Sequence, residues 1–171
     1  MEYTDSENAY AAPEATLERS LTGGEQITAF PRFSTWWVLL LSMVTLSIYS
    51  LYWIYSRTKI LNRLVPENPI SFWIYASPIL FFIVGIIVNF MIGFYGAEAG
   101  SGLTVFSNIV SLVNLIIFIV WAYSFRNRLN RLAGVEKGDK CYAGPILTFF
   151  LNSLYMSYKV NQLIDRQREA V

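Results

Sequence analysis

The chain has 171 residues, of which 54% are hydrophobic and only 15% charged, where a soluble domain carries about 25% charged; apolar surface on this scale calls for lipid as its solvent. A net charge of +1 argues against nucleic acid as a partner, because that binding needs a concentrated basic surface. Histidine is absent and Cys141 is the only cysteine, so the commonest general base, an internal disulfide and a thiolate metal cage are all excluded.

Residues 1–32 form an acidic tail (Glu2, Asp5, Glu7, Glu14, Glu18, Glu25) rich in Ala, Ser and Pro with a Gly23-Gly24 pair. Such a stretch buries too little apolar surface to offset its ordering entropy and is expected to be disordered. It has no basic segment running straight into an apolar core, so it does not read as a signal peptide.

Beyond it, residues 33–171 read as an all-α, polytopic helical membrane domain. Four stretches lack Asp, Glu, Lys and Arg: residues 33–56, 68–97, 99–125 and 141–158. A helix crossing the hydrocarbon needs about 20 mostly apolar residues, which places membrane segments at about 35–55, 71–95, 103–123 and 143–158. The first carries Trp36 and Trp37 at one end and Tyr52, Trp53 and Tyr55 at the other, the aromatics that membrane–water interfaces favour. The second contains Pro78 and Gly85 and is expected to kink. A glycine-rich turn over residues 93–102 makes the second and third an antiparallel hairpin. The third carries a polar strip, Ser107, Asn108, Ser111 and Asn114, in which Ser107, Ser111 and Asn114 share one helix face. Small polar residues of this kind hold helices together in membranes, or they line a conduit. The fourth segment is short and carries Pro145, Thr148, Asn152, Ser153 and Ser157; it reads either as a short span or as a segment that enters the membrane and turns back.

An internal repeat follows the spans. Residues 53–64 and 121–132 share Trp-x-Tyr-Ser-x4-Leu-Asn-Arg-Leu without a gap, and Tyr158 to Asp165-Arg166 is a weaker third copy. Upstream, Ser50-Leu51-Tyr52-x-x-Tyr55 matches Ser153-Leu154-Tyr155-x-x-Tyr158. The aromatics anchor a helix at the interface, and two further turns carry Asn and Arg into the headgroup zone. The aliphatic residues Ile60, Leu61, Leu64, Leu129 and Leu132 are expected along the acyl boundary. The candidate contacts to an anionic headgroup or a partner's carboxylate are Asn62, Arg63, Asn130, Arg131, Asp165 and Arg166. The Lys and Arg of residues 56–70 and 125–144 put those loops in the cytoplasm. The N-terminal tail, with Arg19 and Arg32 alone, then fits the outside, whereas Lys159, Arg166 and Arg168 look cytoplasmic.

The run Val44-Thr45-Leu46-Ser47-Ile48-Tyr49-Ser50-Leu51-Tyr52-Trp53 resembles the opening signature of the Domain of Unknown Function 4234 family, small bacterial integral membrane proteins. That signature usually reads Val-Thr-Leu-Gly-Ile-Tyr-x-Leu-Tyr-Trp, so Ser47 stands where the family has glycine. Trp121-x-Tyr123-Ser124, Gly138-Asp139-Lys140 and Asn161-Gln162 resemble its later stretch, and the resemblance extends over most of residues 33–166. It implies a bacterial inner (cytoplasmic) membrane and carries no known activity, cofactor or site residues. The expectation is a multi-pass, non-enzymatic protein without cofactor or metal. It works by association with membrane lipids, with itself as a homo-oligomer or with another membrane complex. A passive pore or lipid/solute transporter built on the polar strip is the alternative.

Overall fold

The computed structural model describes residues 26–95 and 100–169. Among them every regular element is helical.

The first apolar stretch, expected as one span, forms two helices, α1 (Thr35–Val44) and α2 (Ile48–Leu64). Between them Leu46 (φ 50°) and Ser47 (φ 74°) turn left-handed. The Ser47 N–H donates to the Ser42 carbonyl and the Leu46 N–H to that of Met43, the pair of bonds that closes a helix through a left-handed cap. Thr45 completes the join. Its hydroxyl donates to the Leu41 carbonyl (2.6 Å) and accepts from the Tyr49 N–H (2.9 Å), ending one helix and starting the next. The chain then folds back. The rings of Phe33 and Tyr49 lie 6.0 Å apart, where a collinear helix would separate them by about 24 Å. Gln26, ahead of α1, shares a cleft with Leu64 and Val65 at the end of α2.

The helices α3 (Phe72–Tyr95) and α4 (Gly100–Leu132) have 24 and 33 residues. Both are long and apolar enough to cross a membrane, and little of either is buried within the protein. They pair antiparallel, with Asn89 Nδ2 donating to Ser107 Oγ (3.4 Å). Their link, residues 96–99 of the expected glycine turn, lies outside the described residues. α3 runs through Pro78 and Gly85 without losing its helical course.

The last helix, α5 (Pro145–Glu169), breaks at Asn152 (φ 40°, ψ −116°). Its first arm, residues 145–151, folds back on its second, residues 153–169. The Gly144 N–H ahead of the first arm donates to the Tyr155 hydroxyl (3.0 Å), and Lys159 Nζ donates to the Lys140 carbonyl (2.7 Å). The tips of the two folded-back hairpins meet where the Ser50 and Ser153 hydroxyls share a hydrogen bond of 2.9 Å. These are the matching serines of the upstream repeat.

The core sits at the end of the molecule where α2, α4 and the second arm of α5 run side by side. Trp53 meets Trp121 edge-on at 6.4 Å and Phe125 at 6.0 Å. The Trp121 indole N–H donates to the Thr58 hydroxyl (2.8 Å), which donates to the Ile54 carbonyl (2.7 Å). Leu61, Leu129, Met156 and Ile164 are enclosed around them. This corrects the placement of the repeat's leucines along the acyl boundary. Leu61, Leu129 and Leu132 are buried because the matching faces of the helices pack on one another. The tail is corrected in part as well. Residues 1–25 lie outside the described residues, but residues 26–32 are folded, with a 3-10 turn at Ile27–Ala29 and Ile27 and Phe30 in the core. Arg32 pairs with Asp165, so the approach to α1 lies at the same end as the basic loops and not at the opposite one.

Candidate functional site

Three asparagines build the polar end, each in the same way. Asn62 Nδ2 donates to the Ile70 carbonyl (2.9 Å) and its Oδ1 accepts from the Ile70 N–H (2.7 Å). Asn130 does the same to Ala143, at 3.2 and 2.9 Å. Asn161 does the same to Phe33, at 2.7 and 3.3 Å. Every clamped residue stands two positions ahead of a helix start: Phe33 before Thr35, Ile70 before Phe72, Ala143 before Pro145. Backbone groups at the mouth of a helix have no ladder partner and need one; the carboxamide supplies a donor and an acceptor at once. Each helix that leaves the polar end, α1, α3 and the first arm of α5, is thereby fixed at its root by a helix that arrives there.

Arginines reinforce two of these roots. Arg128 donates to the Asn68 carbonyl (2.6 Å), to Asn68 Oδ1 (2.8 Å) and to the Pro69 carbonyl (3.3 Å). Arg126 donates to the Ala143 carbonyl (2.9 Å) and the Tyr142 hydroxyl (3.0 Å).

Beside the third root lies an open cleft of about 660 Å³ between the start of α1, the loop at residues 139–141 and the second arm of α5. Two ion pairs floor it, Arg32–Asp165 (2.7 Å) and Arg166–Asp139 (2.8 Å), and Trp36 and Tyr158 form its apolar rim. The hydrogen bond from Arg32 holds the Asp165 carboxyl below the usual carboxylate range. Asp139 is also held low, first by the Cys141 N–H it accepts (2.7 Å) and then by Arg166. Burial lowers the pKa of Lys159, whose ammonium donates to the Lys140 carbonyl and Gln162 Oε1. The charged groups around Cys141 are thus engaged in holding the loop against α5, and Cys141 itself is buried.

The structure therefore divides the predicted contact residues. Asn62 and Asn130 are clamps, Asp165 and Arg166 belong to the two ion pairs, and Arg63 and Arg131 stand exposed. In the polar strip, Ser107, Ser111 and Asn114 face α3, where Asn89 joins them; Ser111 donates to the Ser107 carbonyl (2.9 Å). Asn108 is exposed on another face. Ser111, Asn114, Asn89 and Gly85 line an open interhelical groove of about 290 Å³.

Sequence reasoning missed Asn161, Asn89 and the two arginines. Asn161 lies three residues beyond Tyr158, outside the register in which Asn62 and Asn130 stand seven beyond Tyr55 and Tyr123, so the repeat gives no signal for it.

No curated protein and no solved structure matches the chain. The family described as domain of unknown function (DUF4234) matches residues 33–131, from the first clamped residue through α1 to the end of the second repeat copy. The match takes in the left-handed turn at Ser47 that joins α1 and α2, and on it the chain belongs to the DUF4234 family.

Proposed function

We propose that the chain is a non-enzymatic protein of the bacterial inner membrane, inserted one-sidedly. In this reading α3 and α4 cross the bilayer, while the α1–α2 hairpin and the two arms of α5 enter from the cytoplasmic face and return to it. The protein works by what its broad cytoplasmic end and its lipid-facing helices associate with: leaflet lipids, further copies of itself or another membrane complex. The observation that carries the reading is the distribution of charge on the fold. Every described Lys and Arg lies on the approach to α1, in α2 beyond Tyr55, in the connecting loops of that end, in α4 beyond Tyr123 or in α5 beyond Tyr158. Positive charge marks the cytoplasmic side, and turning the first and last segments back puts Arg32 and the end of α5 there with the loops. The exposed apolar faces of α1 (Trp36, Met43, Val44, Leu46) and of the first arm of α5 (Ile146, Phe149, Phe150) are suited to acyl chains.

Single cysteines test this in a Cys141→Ala background, with an impermeant maleimide applied to intact cells. Gly100→Cys is expected to react. Glu67→Cys and Lys137→Cys are expected to react only after permeabilisation, and Leu46→Cys and Phe150→Cys in neither state. Ser34→Cys is expected to behave like Glu67→Cys; its reaction from outside in intact cells would make the first segment a full span and overturn the hairpin.

A further inference from the structure

We infer that this protein is a bilayer wedge: it concentrates on curved membrane, and bends membrane, with the leaflet holding its hairpins on the convex side. The inference rests on the one-sided insertion proposed above and adds a mechanical function to it.

The geometry is a matter of what occupies each half of the bilayer. The hydrocarbon is about 30 Å thick. With 10 residues, α1 rises about 15 Å. The first arm of α5 is shorter and rises about 10 Å. Their tips are tied at matching depth. Ser50 meets Ser153, and Asn152 Nδ2 donates to the Phe118 carbonyl (3.3 Å). Phe118 stands about 21 Å from the cytoplasmic end of α4. The tip at Ile48 shares an open groove with Ile83 and Ile86 of α3, about midway between Tyr75 and Tyr95, the aromatics near the two ends of that helix. One half of the bilayer therefore holds six helical sections: α1, α2, both arms of α5 and the near halves of α3 and α4. The other half holds two.

A helix is about 10 Å across, so four extra sections add on the order of 300 Å² of cross-section to one leaflet only. The added surface is in contact with lipid. Trp37, Leu40, Met43, Leu46, Phe149 and Phe150 are all exposed on the hairpins. Shallow apolar helices bind preferentially where a leaflet is spread, and here the shallow helices are locked to two spans that prevent their withdrawal. The lock is specific: the Thr45 hydroxyl holds the first hairpin's turn, the serine pair ties the two tips, and the asparagine clamps fix their roots.

The test uses the full chain, inserted from detergent into preformed vesicles of phosphatidylethanolamine and phosphatidylglycerol so that the polar end stays outside. Its surface density is compared on small and large vesicles, and large vesicles are inspected for tubules by electron microscopy. The expected result is a several-fold higher density on small vesicles, and tubules at high loading. The double variant Met43→Lys, Leu46→Lys changes exposed residues only; it draws the first tip toward the headgroups and is expected to reduce the preference while leaving insertion intact. A fluorophore at position 34, with an impermeant aqueous quencher added outside the vesicles, separates the two readings. Quenching with equal density on both vesicle sizes would overturn the wedge and leave the hairpins standing. No quenching would overturn the hairpins and the wedge with them.

Discussion

Ser47 is a residue at odds with its backbone. Its φ of 74° lies in a region that costs an L-residue about 1–2 kcal/mol and costs glycine almost nothing. Its side chain makes no capping hydrogen bond and is exposed, so the hydroxymethyl group returns nothing visible for that strain. Ser47→Gly is therefore expected to stabilise the protein by roughly 0.5–1 kcal/mol after the added freedom of the unfolded glycine is subtracted, read as a rise of a few degrees in thermal unfolding in micelles. A fall would show that Ser47 makes a contact the turn depends on. Thr45→Ser keeps the bridging hydroxyl, whereas Thr45→Val keeps the shape and removes both of its bonds. Only the second is expected to destabilise, by about 1–2 kcal/mol. Neither feature is visible in hydropathy, because residues 36–55 are apolar on both sides of the turn. The legible sign was the family's glycine in the middle of an otherwise unbroken run.

At the scale of elements, the repeated Asn-Arg pair divides in a way its sequence conceals. The recurrence of Asn62 and Asn130 in one register was legible; what they hold was not. Their partners lie eight and thirteen residues further along, in loops of different length that only the packing of α2 against α4 brings into place. Truncation tests the clamp. Asn130 is buried, and Asn130→Ala leaves the Ala143 N–H without a partner in a dry site, while the Ala143 carbonyl keeps its bond from Arg126. The expected loss is about 2–3 kcal/mol, larger than for Asn62→Ala at its half-exposed root. Asn130→Asp restores the acceptor and sets a carboxylate against the Ala143 carbonyl, so it is not expected to rescue. Similar, small losses for both truncations would mean that water replaces the clamps. The helices themselves were easier to read than their continuity. α3 and α4 are where composition puts them, whereas the breaks at Ser47 and Asn152 come from backbone caps and interhelical polar contacts.

At the scale of the whole molecule, the charge rule that seemed to conflict with four alternating spans is satisfied once two segments turn back. For the last segment the sequence left a short span and a turn-back both open, and for the first its apolar run gave no sign of a turn. The same end also carries the only ion pairs among the described residues, and both join distant parts of the chain: Arg32 to Asp165 and Asp139 to Arg166. Both carboxylates have lowered pKa values. Their contribution is fully present above the unpaired value of 3.8 and fades as pH falls through the lowered folded values. Both pairs are largely exposed, so the effect is modest. Hydrogen exchange in residues 161–167 is expected to keep one level of protection between pH 7 and 5 and to lose part of it below about pH 4. Loss already at pH 6 would show that another group governs the end.

The clamp of Asn161 on Phe33 spans 128 positions. Synthesis runs from the N-terminus, so the first hairpin leaves the ribosome long before the asparagine that seats it exists. Until then α1 has its own cap at Thr45 but no hold at its root, and the last helix acts as the closing stroke of assembly. A nascent chain stalled before residue 161 should therefore carry a correctly turned but unseated hairpin, which the arrival of Asn161 seats.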